Sequence, residues 1–144
     1  AMEAHGGAGY VEAGPMPRLF RQSPLNAIWE GSGNVIALDL LRAIAREPDG
    51  VEALHAFLAA QRGHDGAYDR WIDAIDLRAA HEGTARLLIE RLALAAQAAV
   101  LIGQGNPLAE AFCRLRLIPR GSAYGAFDAA IDTRMIVDRA MPAA

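Results

Sequence analysis

Apolar residues recur three or four positions apart along most of this chain, which is the spacing of one face of an α-helix. The stretch from Ser32 to Pro48 shows the pattern clearly, because Val35, Leu38 and Leu41 repeat at that interval. No stretch alternates apolar and polar residues for long enough to predict a β-strand. The sequence therefore predicts an all-α protein, built as an antiparallel helical bundle.

Proline, glycine and capping residues divide this pattern into separate helices. Residues 1–5 are expected to form the last turn of a helix that ends at Gly6, and a loop should follow as far as Pro17. Ser32 is expected to be the N-cap of its helix, which Pro48 and Gly50 should end. The other predicted helices run from Ser23 to Trp29, Asp49 to Arg62, Tyr68 to Ile75, Leu77 to Ile102, Asn106 to Pro119 and Tyr124 to Ala140.

Two of these helices, those of Tyr68 and Leu77, are expected either to join or to kink near Asp76. The largest apolar residues on the inner faces of successive helices should share one core. These residues are Leu38, Leu41, Leu54, Phe57, Trp71, Leu87, Phe112 and Phe127.

The composition indicates one folded domain without a membrane span. The 144 residues, of which 53% are hydrophobic, are enough for a single core. No apolar run reaches the roughly 18 residues that a membrane helix needs, and no secretory leader is visible at the start. Cys113 is the single cysteine, so no disulfide can form within the chain, and we expect a reducing, cytoplasmic location and a buried thiol.

The charge argues against a strongly basic surface for nucleic acid or acidic lipid, because the formal net charge is −3. Arg114, Arg116 and Arg120 form a local cluster that could contact phosphate, although a solvated helix face explains the same pattern. The four histidines are scattered, and no cysteine or carboxylate stands at metal-ligand spacing beside them, so no metal site is predicted.

One carboxylate, Glu30, stands between a large aromatic residue and a glycine, just before the apolar helix that starts near Ser32. An indole and nearby aliphatic side chains can remove water from a carboxylate, which makes it a better proton acceptor. Gly31 would let the backbone turn tightly beside it. The alternative interpretation of this hexapeptide alone is an ordinary surface acid that precedes a helix N-cap.

Three segments in one order and spacing resemble the acyl-CoA dehydrogenase flavoprotein family. They are Glu3–Tyr10, with its Gly-Gly-x-Gly-Tyr turn, then Pro15–Arg21, with its Arg-Leu-x-Arg step, and Ile28–Ser32, which reads Ile-Trp-Glu-Gly-Ser. Each segment alone is a weak signal, whereas the three together are specific. The Trp-Glu-Gly-Ser-Gly-Asn sequence and the helical residues that follow it resemble the alkylation-response (AidB-like) branch most closely.

The resemblance implies a fold, a reaction and a cofactor. The fold would be the C-terminal helical domain of the family with an extra helical tail. The reaction would remove hydrogen across the α,β bond of an acyl-CoA thioester, with FAD as the hydride acceptor. Glu30 matches the position of the general base that takes the α-proton, while Trp29 and Gly31 would lie in the substrate pocket.

The same resemblance assigns the FAD contacts. Gly6, Gly7 and Gly9 would let the backbone approach the diphosphate of an FAD bound by a neighbouring subunit, which implies a homo-oligomer. Ser32 and Asn34 would bond toward the adenosine half of that FAD at the start of a helix. For the glycines alone, a simple loop that ends a helix is the alternative.

Two positions depart from the family pattern. Glu3 stands where glutamine is usual, and a carboxylate repels a diphosphate, so Glu3 itself is a doubtful FAD contact. Trp29 stands where tyrosine is common, and its larger ring would reshape an acyl pocket, which puts ordinary straight-chain substrates in doubt.

We expect residues 1–48 to be the end of the dehydrogenase helical domain and residues 49–144 to be a helical tail packed with it. The resemblance places the flavin ring and much of the thioester site on upstream domains, so this chain alone should be inactive. Two alternatives are a DNA-binding, protective role for the tail and a structural oligomerisation bundle without activity. The electron-transfer partner and the acyl group are not predicted, and no membrane partner is expected.

Overall fold

The computed structural model describes residues 2–118 and 132–141, and every regular element in these ranges is helical. The all-α prediction is therefore confirmed. The α-helices are α1 (Met16–Gln22), α2 (Gly33–Arg46), α3 (Pro48–Ala59), α4 (Gly66–Asp73), α5 (Ala85–Gly103), α6 (Ala109–Phe112) and α7 (Thr133–Ala140). Two 3-10 helices (Glu3–Gly9 and Ser23–Ala27) and one π-helical turn (Cys113–Leu117) complete the described elements.

The N-terminal region is more helical than predicted. The first 3-10 helix is interrupted at Gly6, where φ is +54°, and then continues to Gly9. The predicted loop extends too far, because α1 already begins at Met16 and places Pro17 in its first turn, where proline is well tolerated. Ser23 does not act as a cap, since its hydroxyl donates instead to the carbonyl of Phe20 at 2.9 Å.

The next two helices begin close to where the sequence predicts them. Ser32 is the N-cap of α2 and has an extended backbone, although its side chain makes no capping bond. Helix α3 begins at Pro48, one residue before the predicted start at Asp49, and its N-cap is Glu47. Pro48 thus both ends α2 and starts α3, because its fixed φ suits a first turn that needs no N–H.

A turn separates α4 from α5, and it corrects the prediction of a helix from Leu77 onward. The Asp76 carboxylate accepts hydrogen bonds from the backbone N–H groups of Arg78 at 2.9 Å and Ala79 at 3.3 Å. Such local bonds compete with the helical pattern. Helix α5 begins only at Ala85, although at 19 residues it is the longest described helix, as expected.

Helix α5 lies at the centre of the described fold. It contacts α2, α3, α4, α6 and the π-helical turn. Its small residues Ala95, Ala98 and Ala99 are almost completely buried, and Leu88 and Leu92 extend the same apolar surface along the helix. Small side chains let neighbouring helices approach closely, so several helices can pack against α5 around one core.

One buried and one partly buried hydrogen bond fix α4 between its neighbours. The hydroxyl of Tyr68, which is fully buried, donates to the carbonyl of Leu58 in α3 at 2.8 Å. The indole N–H of Trp71 donates to the carbonyl of Arg91 in α5 at 3.0 Å. Because both donors have an acceptor, these aromatic rings can fill the core without leaving a polar atom unpaired.

The predicted core is right in its helices and partly wrong in its residues. Four of the predicted residues pack against the buried cluster: Leu41, Leu54, Trp71 and Phe112. Leu38 is half-buried. Phe57 and Leu87 are 42% and 49% exposed, while the adjacent Leu58 and Leu88 are buried. One residue is about 100° of helix rotation, so the buried face lies about one position away from the predicted face. Phe127 lies outside the described residues.

The C-terminal helices follow the capping chemistry of the sequence. The Asn106 side chain accepts from the N–H of Leu108 before α6 begins. Ile118 is extended, as expected for a residue that precedes a proline. Of the predicted helix from Tyr124 to Ala140, the described part contains α7, whose first turn is capped by the Asp132 carboxylate; its earlier residues lie outside the described range.

Because the thiol of Cys113 is buried, we expect the free energy of unfolding to depend on pH in the alkaline range. Burial raises the pKa of Cys113 from 9.0 to about 11 and that of Tyr68 from 10.0 to about 12. The folded state therefore favours the neutral thiol, and this contribution is complete below pH 9 and is lost as pH rises toward 11. Denaturant titrations across this interval should show the free energy of unfolding fall by roughly 2 kcal/mol from Cys113.

The control is Cys113→Ala, which should flatten that part of the pH dependence whatever it does to stability at neutral pH. An equal fall in both proteins would show that the thiol does not contribute.

Candidate functional site

Residues 28–31 form a tight turn between the second 3-10 helix and α2, and we call this segment the Glu30 turn. The N–H of Trp29 donates to the carbonyl of Leu25 at 3.0 Å, and the N–H of Gly31 donates to that of Ile28 at 3.3 Å. The first bond ties the turn to the preceding 3-10 helix, and the second closes the turn around Glu30. Gly31 has a φ of +119°, a conformation that glycine adopts readily.

The backbone of Glu30 is itself unusual. Among the described residues other than glycine, Glu30 alone has a positive φ, at +63°. This left-handed conformation costs an L-residue with a Cβ about 1–2 kcal/mol, and such conformations cluster at functional sites. A glycine at this position would avoid the cost, so the side chain of Glu30 is retained at the expense of stability.

The sequence-based expectation that Glu30 is partly desolvated is wrong for the described residues. Glu30 is exposed, and the neighbouring Trp29 is 58% exposed. Both lie at the outer end of the turn, where no other described helix covers them. Water would have to be excluded from Glu30 by surfaces beyond those described.

The segment that contains the Glu30 turn exposes many large apolar side chains. Nine such side chains between positions 10 and 36 are between 45% and 76% exposed, and we call them the N-terminal apolar surface: Tyr10, Val11, Leu19, Phe20, Leu25, Ile28, Trp29, Val35 and Ile36. Single exposed apolar residues are ordinary on a protein surface, but so many on one segment indicate an interaction surface. Along the chain, exposed apolar residues thus precede and follow Glu30, which is itself open to solvent.

The three predicted glycine contacts have different surroundings. Side chains added at Gly6 or Gly7 would meet nothing within 4 Å, so the backbone there is open to close approach by another group. A Cβ on Gly9 would collide with the carbonyl oxygen of Met2, so this buried glycine is required by the fold of its own segment. No hydrogen bond between described residues joins this segment to the Glu30 turn.

Asn34 is brought to the first turn of α2, as predicted, and it has a partner that the sequence did not indicate. The Nη1 atom of Arg86, in the first turn of α5, donates to Oδ1 of Asn34 at 3.2 Å. Fifty-two positions separate the two residues, and no local pattern distinguishes Arg86 from the other arginines. Their contact depends on the packing of α2 against α5.

Several of these groups, taken one by one, suit an anionic ligand, although no described hydrogen bond joins Gly6 or Gly7 to the first turn of α2. The first turn of α2 contains no acidic residue, and the Ser32 side chain does not cap it. Its free N–H groups, the guanidinium of Arg86 and the open backbone at Gly6 and Gly7 are all groups that bind phosphate oxygens.

The remaining candidate features have no clear site. Arg114 is paired with Glu110 at 3.7 Å, and Arg116 is exposed, while Arg120 lies outside the described residues. In the part of the chain that the structure describes, no three histidine, cysteine or carboxylate side chains could hold a metal ion. No described helix is long and apolar enough to cross a membrane.

Comparison with known proteins places these features in a family. Residues 1–45 match the family described as "Acyl-CoA dehydrogenase, C-terminal domain". The chain is 36% identical over 124 residues to "Putative acyl-CoA dehydrogenase AidB" of Escherichia coli (strain K12), which covers 84% of this chain and 23% of that protein. It is 43% identical over 44 residues to "Acyl-CoA dehydrogenase family member 11" of Caenorhabditis elegans, covering 31% of this chain and 7% of that protein. The chain thus spans less than a quarter of the length of either relative.

The positive φ of Glu30 predicts an inverted order of stability for two substitutions. Both Glu30→Gly and Glu30→Ala remove the carboxylate, but only glycine is free of strain in this conformation. Glu30→Gly should be more stable than Glu30→Ala by about 1 kcal/mol in denaturant titration.

Glu52 is the matched control, because it is an exposed residue within α3. There the order should reverse, since glycine costs about 1 kcal/mol relative to alanine within a helix. The same order at both positions would show that Glu30 has no left-handed strain in solution.

Proposed function

Because the chain belongs to the acyl-CoA dehydrogenase family, as the C-terminal portion of an AidB-like member, we propose that the whole protein is an FAD-dependent oxidoreductase acting on an acyl-CoA thioester. In this proposal Glu30 is the general base. The observation that carries it is the exposed carboxylate on a strained turn, within the segment that carries the N-terminal apolar surface. A surface acid without a function would gain nothing from that backbone conformation.

The chemical step would form a double bond between the α and β carbons of the acyl group. FAD, when bound, supplies the acceptor for the hydride that leaves the β-carbon. The Glu30 carboxylate takes the proton from the α-carbon, and the electron pair of that C–H bond becomes part of the new double bond. A base placed for such a transfer accelerates the step by about 10²–10⁴-fold.

The N-terminal apolar surface supports the idea that other parts of the protein complete the site. Trp29 and Gly31 would border the acyl group, and packing of the upstream domains on this surface would exclude water from the carboxylate. A dry surrounding makes a carboxylate a stronger base. The same argument explains why the 144-residue chain alone should be inactive.

The cofactor contacts are proposed on the residues that remain open in the structure. The backbone at Gly6 and Gly7 would contact the diphosphate, and Ser32 and Asn34 would contact the adenosine half of FAD. Gly9 would have a structural role in this segment, because the carbonyl oxygen of Met2 occupies the space where a side chain would be. If the FAD belongs to a neighbouring subunit, the active protein is a homo-oligomer.

The organisation of the chain is part of the same proposal. Residues 1–48 would end the dehydrogenase domain, and residues 49–144 would form the helical tail that packs on it through α5. A cytoplasmic location is proposed from the single buried cysteine, which suits a reducing compartment. The proposal leaves the acyl group and the electron acceptor unassigned, and no described feature specifically favours DNA as a partner.

Replacing the base should remove the reaction and leave the cofactor in place. In the full-length protein, Glu30→Gln keeps the size of the side chain but cannot accept the proton, so turnover of acyl-CoA should fall by about 10²-fold or more. Flavin absorbance of the purified protein should stay unchanged. The measurement is the rate of flavin reduction by a panel of acyl-CoA thioesters.

The control is Glu52→Gln, which changes the same charge on the exposed face of α3. It should keep the activity of the unaltered protein. Full activity of Glu30→Gln with any thioester would place the base elsewhere.

FAD binding should require more than the 144 residues. The proposed contacts reach the diphosphate and adenosine half of FAD and bury little of the flavin, so they cannot offset the entropy lost on association. Titration of FAD at micromolar concentration, followed by flavin fluorescence, should show no stoichiometric complex with this chain and a tight one with the full-length protein. A stoichiometric complex with the chain alone would contradict this proposal.

A further inference from the structure

We propose that Arg86, in the tail helix α5, is a further FAD-binding residue that holds Asn34 and places a positive charge beside the phosphates. This inference rests on the proposed function, because it deepens the FAD contact at the start of α2. Arg86 lies outside residues 1–45, the part that matches the dehydrogenase domain. The tail would thus contribute a residue to the cofactor site.

The position of the guanidinium supports this role. Its Nη1 atom bonds to Oδ1 of Asn34 at 3.2 Å and lies above Gly33, so closely that a Cβ at Gly33 would be 2.6 Å from it. Glycine at position 33 therefore lets the guanidinium reach the first turn of α2. Asn34 is oriented by a donor from another helix, which leaves its amide nitrogen free to donate to a ligand.

The charges around Arg86 point to an anion. Glu90 is one helical turn away, at a spacing that commonly gives an ion pair, yet no described carboxylate lies within ion-pair distance of Arg86. The guanidinium instead approaches the N-terminus of α2, which carries a partial positive charge of its own. Two positive groups side by side disfavour each other, and a bound phosphate would neutralise both.

The packing of the tail keeps Arg86 in this place. Helices α2 and α5 contact each other, and Ala37 of α2 and Ala85 of α5 are both almost fully buried. The bond from Arg86 to Asn34 and the approach of the guanidinium to Gly33 show that the two helix starts lie close together. Arg86 follows Ala85 directly, so its backbone is fixed relative to Asn34 while its side chain remains exposed.

The test uses the full-length protein, stripped of flavin and titrated with FAD. Arg86→Gln should weaken FAD binding about tenfold, because charge-assisted bonds to phosphate are the stronger kind. The salt dependence of FAD binding should decrease in the variant. ADP and adenosine, used as competitors, separate the two roles of Arg86. The variant should lose more affinity for ADP, which carries phosphates, than for adenosine, which is affected only through the orientation of Asn34.

Two further variants make the result specific. Arg46→Gln removes the same charge from the last turn of α2, about 20 Å away, and should leave all three ligands unaffected. Gly33→Ala keeps Arg86 but displaces its guanidinium, and should also weaken FAD and ADP. Unchanged affinities in both Arg86→Gln and Gly33→Ala would overturn this inference alone. Failure of the unaltered full-length protein to bind FAD would overturn the proposed function together with it.

Discussion

The close approach that alanine allows along α5 is the constraint on which the described fold depends. Ala95 and Ala98 are completely buried, and Ala99 is nearly so, because α2, α3 and α4 all pack on this helix. A larger side chain there would move several helices at once, since a close-packed interior has no space to absorb it. The hydrogen bonds of Tyr68 to α3 and of Trp71 to α5 then fix the orientation of α4.

The same packing joins residues 1–45, which match the dehydrogenase family, to the helices that follow them. The start of α2 carries Ser32 and Asn34, and α2 packs against α5. The Glu30 turn precedes α2 directly, and Glu30 is exposed. The core therefore fixes where the candidate site begins, while no described residue covers the carboxylate.

Much of the fold could be predicted from local chemistry. Apolar spacing indicated the helices, and Ser32 and Pro48 marked real boundaries, because capping and proline geometry act within one turn. The sequence predicts a join or a kink near Asp76, whereas the structure has a turn that lasts until Ala85. The side-chain bonds of Asp76 compete there with a helix of favourable composition. Phe57 and Leu87 were placed wrongly because periodicity alone does not fix the rotation of a helix within its neighbours.

The candidate site, like the fold, could be predicted from the sequence only in part. Glu30, Gly31, Ser32 and Asn34 could be grouped from the sequence because they are consecutive or nearly so. The left-handed backbone of Glu30 and its exposure depend on how the turn leaves the preceding helix, which no residue type specifies. The contact of Arg86 with Asn34 joins positions 52 apart, and such a pair becomes visible only when α2 and α5 are packed together.

Because Cys113 is buried, the reactivity of its thiol reports on motions of the elements around it. This thiol is the single one in the chain, and it is completely buried in the π-helical turn, which packs against α4 and α5. A thiol reagent can reach it only when these elements separate, because a buried thiol is inert until it is exposed. The rate at which the native protein reacts therefore counts openings of the tail core, without a label that would disturb it.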